Sequence, residues 1–427
     1  MISFIMICVA LFLQDQPVEV PESTQEWTRK TSGENIVSIE LVSRRYEAEG
    51  KPNLWLVGVA HIADASFYEE VTLLLDDMDI VLFESVRPTG SRPPGGSTPE
   101  ERITSTTRSM EFVADVAKRS AEESGDIPES IEDVIAQALL IDSRLASFVE
   151  DASVGAWGRP YSVQVNSDRD SISFWCFGSD GKLGGDGAAE DIVIRREILI
   201  PEILPTEDED RGIQAGMADA LGLEFQLDAL SYEKPNWFCS DLTIGEVERK
   251  LDERGADPEI LKAITGDAFS AKIASGMMKL LPMLDMLTGG GVKETARLLM
   301  IELLTMPDVE ELMDGIEPEL TNVIIFDRNT EVLGDIAATI EIVEDVSSIG
   351  VLYGAGHMKD LAERINLLFG YVPVEERWMV AMSVNPEDSL LGQDDMKRMR
   401  FMLRYQMYKA NKEKNKPEAT VESDPSL

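Results

Sequence analysis

Histidine is almost absent from this chain, whose 427 residues contain only two, His61 and His357. Basic residues are also scarce, since 39 Lys and Arg stand against 79 Asp and Glu and leave a formal charge of −40. So acidic a surface repels nucleic acid and attracts cations, and we expect no nucleic-acid partner. The three cysteines are too few for a disulfide framework. We expect Cys176 and Cys239 to be free thiols, with a bridge between them as the alternative.

Long apolar runs are missing as well, because no segment after the N-terminus reaches 18 uninterrupted apolar residues. The first residues, MISFIMICVALFLQDQ, hold about a dozen apolar positions, which is typical of a signal-peptide core and too short for a membrane span. We expect residues 1–30 to be a leader and the protein to be exported to the periplasm or cell envelope. No basic residue precedes the run, so a short membrane anchor or a misplaced start is the alternative.

Alternating strand and helix patterns predict an α/β fold with a parallel or mixed sheet flanked by helices. IVSIELVSRR, NLWLVGVAHI and DIVLFES predict strands, and DASFYEEVTLLLDDM predicts a helix capped near Asp64 or Ser66. This strand–helix–strand order predicts a parallel pair. TNVIIFDRNTEVLGDIAATIEIVED predicts a strand that enters a helix. GVLYGAGHMKDLAERINLLFG repeats the strand–helix pattern, and ERWMVAMSV predicts a last strand.

Three polar side chains, His61, Glu84 and His357, each follow an apolar strand. Both histidines come three positions after a glycine, Gly58 or Gly354, which is expected to let the backbone turn tightly where the strand ends. Ligands bind beyond the carboxyl ends of parallel strands, so the three side chains are expected to converge. Two imidazoles and a carboxylate suit Mn²⁺, Co²⁺ or Zn²⁺ with open positions. The alternative is that both histidines are turn residues.

Arg328 is predicted to head a helix after another apolar strand, where it could hold a carboxylate or stabilise an oxyanion. An ordinary ion pair is the alternative. Glu84 is the one strong candidate for a general base, so the predicted catalytic residues are Glu84 and Arg328. Arg87 follows Glu84 by three residues and is expected to have a structural role.

The segments LWLVGVAHIADASFYEEVTLLLDDMDIVLFESVRP, DRNTEVLGDIAATI and GVLYGAGHMKDLAERINLLFGYVP resemble the TraB/PrgY/TIKI superfamily. The hallmarks of that superfamily are two GxxH motifs, a strand-end Glu and an Arg-Asn pair; erythromycin esterases and ChaN-type proteins are more distant members. The resemblance implies a domain in two parts, 31–99 and 196–385. It also implies a metal-dependent hydrolase acting on peptide bonds. The family's Thr after the first glycine is Val59 here.

Two other functions stay open at this point. One is a metal- or peptide-binding envelope protein without turnover, and the other is a metal-free esterase in which His61 and Glu84 act as a base pair. The expected partner is a peptide or a small-molecule substrate.

Residues 100–195 have a different texture, and GDIPES, GAWGRPYSV and ISFWCFGSDGKLGGDGAAEDIVI resemble the C-terminal domain of the type II secretion major pseudopilin, the G subunit. The resemblance implies a small α+β insertion with a calcium-binding Gly/Asp loop. Carboxylates at short spacing around glycine turns suit Ca²⁺, and the expected ligands are Asp180 and Asp191, with Asp186 as a further candidate. A solvated acidic turn is the alternative.

The final segment, 386–427, is predicted to be a basic amphipathic helix followed by a disordered tail. Eight Lys and Arg lie between 397 and 416, beside an apolar stripe of Met396, Met399, Leu403 and Met407. Such a helix could contact a membrane surface, or it could dock its stripe on the acidic body.

Overall fold

The computed structural model describes residues 26–200, 218, 221–255, 291–305, 321–343 and 345–392, and five single residues between 395 and 405. The predicted leader up to residue 25 and the predicted stripe of the basic segment lie outside the described residues. Within the described part of the chain, no helix has the length and apolar character needed to cross a membrane.

The strands in chain order are β1 (Thr28–Ser32), β2 (Val37–Glu47), β3 (Asn53–Val59), β4 (Ile62–Ala63), β5 (Ile80–Phe83), β6 (Ser162–Val165), β7 (Ser171–Cys176), β8 (Ile192–Glu197), β9 (Glu224–Phe225), β10 (Trp237–Cys239), β11 (Ser348–Gly354) and β12 (Val372–Val384). The helices are α1 (Ala65–Asp76), α2 (Pro99–Ser124), α3 (Ile131–Ile141), α4 (Ser143–Ala152), α5 (Gln226–Ala229), α6 (Ile244–Glu253), α7 (Val292–Leu304), α8 (Arg328–Ile342) and α9 (Met358–Phe369).

A seven-stranded mixed sheet forms the body of the protein, which confirms the predicted α/β class. Strands β3, β11, β5 and β10 are parallel neighbours in that order. Strands β1, β2 and β12 extend the sheet in antiparallel fashion beyond β3. The predicted pair β3 and β5 runs parallel, but β11 lies between them and hydrogen-bonds to both. A strand from far along the chain therefore separates two strands that are close in sequence.

Both faces of the sheet are covered by helices because its central strands are apolar on both sides. On one face, Trp55 and Val57 pack in a core that includes Phe67 of α1 and Ile301 of α7. On the other face, β3 and β11 pack against α8 and α9 in a second core; its members include Leu54, Leu56, Val351, Tyr353, Leu333, Ile336, Leu361 and Ile365. The sheet is thus the middle layer of three.

The predicted strand at VIIF was wrong, because Asn322–Asp327 forms a π-helical turn that continues into α8. Its Val323 is fully buried with Leu242, Val247 and Leu251, so its apolar side chain meets a helix and not a sheet. Periodicity does not separate a short buried strand from a buried helical turn. π-Helical turns are rare and occur often beside functional sites.

A second unit, residues 99–198, has three helices, α2 to α4, and a three-stranded antiparallel sheet in the order β6–β7–β8. It has its own core, formed by residues such as Met110, Val113, Val134, Phe148, Ile172 and Phe174. Ile198 belongs to that core, so the unit extends beyond β8. Its α+β composition is an observation, while its likeness to a pseudopilin stays a prediction.

Two arginines join this unit to the strand end that carries Glu84. Arg87 donates from Nη2 to Asp151 at 2.6 Å, and its guanidinium lies 4.8 Å from the ring centroid of Phe148. Arg144 donates from Nη1 to the hydroxyl of Ser85 at 3.0 Å. Arg87 therefore has a structural role and ties the two units together.

Candidate functional site

Four parallel strands end at one edge of the sheet, and each is followed by an ionisable side chain. His61 follows β3, His357 follows β11, Glu84 follows β5, and Asp241 follows β10. The carboxyl ends of parallel strands form the usual ligand crevice of an open α/β sheet. His61, Glu84 and His357 therefore lie at the predicted edge, and the sequence analysis missed Asp241.

Glu84 is a largely buried carboxylate, with 12% of its side chain exposed, that accepts hydrogen bonds at both oxygens. The backbone N–H of Gly354 donates to Oε2 at 2.6 Å, and Arg328 Nη2 donates to Oε1 at 2.6 Å. Burial by itself would raise the pKa of Glu84, but the charges of Arg328, His357 and His61 outweigh it and hold that pKa well below its ordinary value. Glu84 is consequently ionised at neutral pH, which suits a metal ligand or a base and not a general acid.

Arg328 is 6% exposed and holds two carboxylates together. Besides Glu84, it donates to Asp241 from Nε at 2.9 Å and from Nη2 at 2.6 Å. Burial would lower the pKa of Arg328, but Asp241 and Glu84 raise it well above its ordinary value. These contacts support the ion-pair alternative, in which Arg328 positions Glu84.

His357 is 5% exposed and faces a hydrogen-bond acceptor at each ring nitrogen. Asn329 Nδ2 donates to the carbonyl of His357 at 3.1 Å and to Asp360 Oδ2 at 2.8 Å. The carbonyl oxygen and the Asp360 carboxylate can only accept hydrogen bonds, so the amide nitrogen of Asn329 must face them. Its Oδ1 therefore faces the ring and accepts from His357 Nδ1 at 2.8 Å. Nε2 then lies 3.4 Å from Glu84 Oε1. A neutral imidazole has one proton for these two acceptors, so a second proton or a metal ion is needed at Nε2.

His61 is exposed, unlike His357, and its ring contacts the side chain of Gln226. Its Nδ1 lies 3.2 Å from the side-chain oxygen of Gln226. In its protonated form, His61 would help to lower the pKa of Glu84. It is not in hydrogen-bonding contact with Glu84, which pairs with His357 instead.

The two glycines of the GxxH motifs serve a different purpose from the predicted one. Gly58 is the last residue but one of β3, and Gly354 is the last residue of β11, directly before the 3-10 turn Ala355–His357. Neither has a positive φ, so neither adopts the left-handed conformation that favours glycine. A Cβ atom on Gly354 would lie 3.2 Å from Glu84 Oε2, and one on Gly58 would lie 3.3 Å from the carbonyl oxygen of Val42. At both positions an added Cβ atom would crowd its neighbour, and glycine avoids this crowding.

The pair formed by His357 and Glu84 fits a metal ion. Two ligand atoms that are each about 2.1 Å from a tetrahedral ion lie roughly 3.4 Å apart, and Nε2 and Oε1 have that separation. The buried cluster of Glu84, Asp241 and Arg328 has one carboxylate in excess, which a cation would balance. In the described part of the chain, no three His, Cys, Asp or Glu side chains converge closely enough to form a ready metal site. His61 would thus have to approach as the third ligand.

Other residues that contact the strand ends at the site were likewise not predicted from the sequence. Tyr353 donates its hydroxyl proton to the carbonyl of Ser240, and the hydroxyl of Ser240 donates to Asp335 at 2.6 Å. The pattern that could have indicated Asp241 is WFCSD, in which an apolar run precedes Ser-Asp, just as the apolar run of DIVLFES precedes Glu-Ser. Strand β10 has three residues, which is too short for a pattern to identify.

The predicted calcium loop has two carboxylates that hydrogen-bond to its own backbone. Asp180 accepts from the N–H of Lys182 at 3.0 Å, and Asp191 Oδ2 accepts from that of Gly184 at 2.8 Å. Asp191 Oδ1 is buried and has no hydrogen-bond partner, whereas Asp186 is exposed. A buried carboxylate oxygen without a partner is costly, and a cation would satisfy it. The donor set therefore fits Ca²⁺.

Comparison with known proteins adds no relative. No protein-family model matches the chain, and neither does any curated protein or solved structure.

Proposed function

We propose that this protein is a metal-dependent hydrolase that cleaves peptide bonds. The observation that carries the proposal is the contact between His357 and Glu84 at the carboxyl ends of the parallel strands of the mixed sheet. There, an imidazole nitrogen and an ionised carboxylate face each other at 3.4 Å. The resemblance to the TraB/PrgY/TIKI superfamily supports the same reaction class.

Each residue of the site has a role in this proposal. His357 Nε2 and Glu84 are two metal ligands, and His61 is the third. Asn329 orients His357, and Arg328 orients Glu84. A bound Mn²⁺, Co²⁺ or Zn²⁺ would supply an acidified water and polarise the substrate carbonyl. The peptide substrate is expected to be neutral or cationic, because the protein carries a formal charge of −40.

Metal content tests this proposal directly. The wild-type chain should bind one equivalent of Zn²⁺ or Mn²⁺, and His357→Ala, Glu84→Gln and His61→Ala should each weaken binding strongly. Arg249→Ala is a matched surface control, because its partner Glu253 is also exposed. Equal metal content in all variants, measured by elemental analysis after dialysis, would disprove the metal site.

Turnover separates the proposal from its two alternatives. Peptide hydrolysis that is lost with a chelator and restored with Mn²⁺, Co²⁺ or Zn²⁺ supports the metallohydrolase. Ester hydrolysis that survives a chelator supports a metal-free esterase; its base pair would be Glu84 with His357, since these two are in contact. Metal binding without turnover on peptide and ester libraries supports a binding protein.

We also propose that the loop Gly178–Asp191 binds calcium, through Asp180, Asp191 and backbone carbonyls. Support comes from the unpartnered buried oxygen of Asp191 and from the resemblance to the pseudopilin domain. Calcium should raise the melting temperature of the full chain, because a ligand of the folded state stabilises it by mass action. Asp191→Asn should abolish this rise. Asp168→Asn, an exposed residue of the same unit, is the control.

Export to the cell envelope is part of the proposal and is supported by residues 1–16 alone. Cell fractionation with the native N-terminus tests it. Peripheral membrane contact through the basic segment 397–416 is tested by cosedimentation of the full chain with anionic vesicles. Binding to neutral vesicles at the same level would contradict the electrostatic basis of that contact.

A further inference from the structure

Gln226 is a buried amide, 4% exposed, that contacts His61 at two points. Its backbone N–H donates to the carbonyl of His61 at 2.9 Å, and its Oε1 lies 3.2 Å from His61 Nδ1. A buried amide is costly unless its side chain is hydrogen-bonded. Gln226 therefore holds the backbone and the ring of an exposed histidine from inside the protein.

Tyr232 contacts the other end of this amide. Gln226 Nε2 donates to the hydroxyl of Tyr232 at 3.1 Å. The tyrosine ring is buried and packs edge-on against Phe83 at 4.9 Å and against Trp237 at 5.7 Å. Phe83 comes directly before Glu84, so the same packed ring group supports the carboxylate and the amide.

The two histidines of the chain thus have the same kind of partner, supplied by different elements. His357 Nδ1 faces an amide oxygen of Asn329 in α8, and His61 Nδ1 faces an amide oxygen of Gln226 at the start of α5. An acceptor at Nδ1 draws the ring proton to that nitrogen and leaves a lone pair on Nε2.

We propose that Gln226, held by Tyr232, is a positioning residue that keeps the proton of neutral His61 on Nδ1 and leaves Nε2 free to bind a ligand. Only the use of that lone pair rests on the proposed metal function. The preference for one tautomer follows from contacts that exist without metal, and it can be measured in metal-free protein.

Nitrogen NMR measures this tautomer directly, because a chain labelled with ¹⁵N-histidine has only two imidazoles to assign. Spectra are recorded with a chelator above about pH 8, where an ordinary imidazole of pKa about 6.5 is neutral. His61→Ala assigns the signals. In wild type, His61 Nδ1 should have the shift of a protonated ring nitrogen and Nε2 that of a bare one.

Two variants then test the role of the amide. Gln226→Met removes the acceptor at similar volume, and Tyr232→Phe removes only the hydroxyl. In each folded variant the two His61 nitrogen shifts should move toward each other, as in a tautomer mixture, while the His357 signals stay in place. A merely structural contact would leave the His61 shifts unchanged. The proposal is overturned if His61 carries its proton on Nε2 in wild type, or if neither variant changes its shifts.

Zinc titration of the same samples links the tautomer to the proposed function. Loss of a hydrogen-bond partner behind a metal ligand lowers affinity about 10- to 100-fold, and we expect this for Gln226→Met. If wild type binds no Zn²⁺, the proposed metal function fails, while the tautomer result is unaffected. If Zn²⁺ binds equally well to wild type and Gln226→Met, the positioning role is overturned while the metal site remains.

Discussion

Glu84 lies so close to the end of β11 that a side chain at position 354 would crowd its carboxylate. The N–H of Gly354 donates to Glu84 Oε2 at 2.6 Å, and a Cβ atom there would lie 3.2 Å from the same oxygen. Two positions later, Gly356 has nothing within 4 Å of the place that a Cβ atom would take. The motif GAGH thus contains one glycine in close contact with the Glu84 carboxylate and one that faces open space.

Gly354→Ala should therefore displace the Glu84 carboxylate and weaken zinc binding, whereas Gly356→Ala should bind zinc as wild type does. Calorimetric titration of both variants measures the difference. The two substitutions add the same methyl group to the same loop, so a general effect on the loop would appear in both. Equal affinities in the two variants would contradict the close approach at position 354.

Arg328 pairs with the carboxylates of both Glu84 and Asp241, so its loss should destabilise the protein strongly. Breaking a buried ion pair typically costs about 3–5 kcal/mol, since it leaves an uncompensated charge inside the protein. We expect Arg328→Met to lower the free energy of unfolding by about this amount, as measured by urea denaturation. Arg249→Met removes an exposed pair with Glu253 and should cost about 0–1 kcal/mol. A similar small loss for Arg328→Met would contradict its role in holding Glu84.

At the scale of the elements, one carboxylate joins the beginnings of β5 and β11. Asp79 precedes β5 and accepts hydrogen bonds at Oδ2 from the backbone N–H groups of Ser347 and Ser348, at 2.8 and 3.0 Å. The Ser347 hydroxyl also donates to Asp79. Its hydrogen bond and those of the two backbone N–H groups lower the pKa of Asp79, against the opposing effect of burial. Asp79 therefore helps to set the parallel register that brings the strand ends together.

The lowered pKa of Asp79 determines how its contribution depends on pH. Stability from a carboxylate with a depressed pKa is complete above its unfolded pKa, about 3.9, and is lost as the pH falls through the lower folded value. Asp79→Asn should thus destabilise the protein at pH 6 and do so less at about pH 3. Unfolding free energies at both pH values measure this difference. Asp77→Asn, an exposed neighbour, is the control, and the same pH dependence in both variants would contradict the assignment.

At the scale of the whole molecule, the formal charge of −40 makes self-repulsion the dominant long-range force. The Debye length falls from about 30 Å at 0.01 M salt to about 10 Å at 0.1 M, so added salt screens repulsion between distant acidic residues. We expect the melting temperature to rise between these concentrations of NaCl in the presence of a chelator. Sucrose at matched osmolality controls for effects unrelated to charge. A melting temperature that falls or stays constant with NaCl would contradict this expectation.

The sequence by itself determined the main helices and strands of the body and the edge at which His61, Glu84 and His357 lie. Strands of seven or more residues that are rich in apolar and β-branched residues, such as β2, β3 and β11, are long enough to identify, and polar residues that follow parallel strands necessarily share one edge. The excess of acidic residues likewise needed no structure. These features are local, because each depends on a stretch of neighbouring residues.

Only the tertiary structure decided which side chains meet at that edge. Strand β11 lies between β3 and β5, so Glu84 contacts His357, which is 273 positions away, and not His61, which is 23 positions away. Asp241 and Arg328 enter the site through a three-residue strand and a π-helical turn, neither of which has a pattern of its own. Strand order and close approach depend on packing between distant segments, and a local pattern contains no information about the partner it will meet.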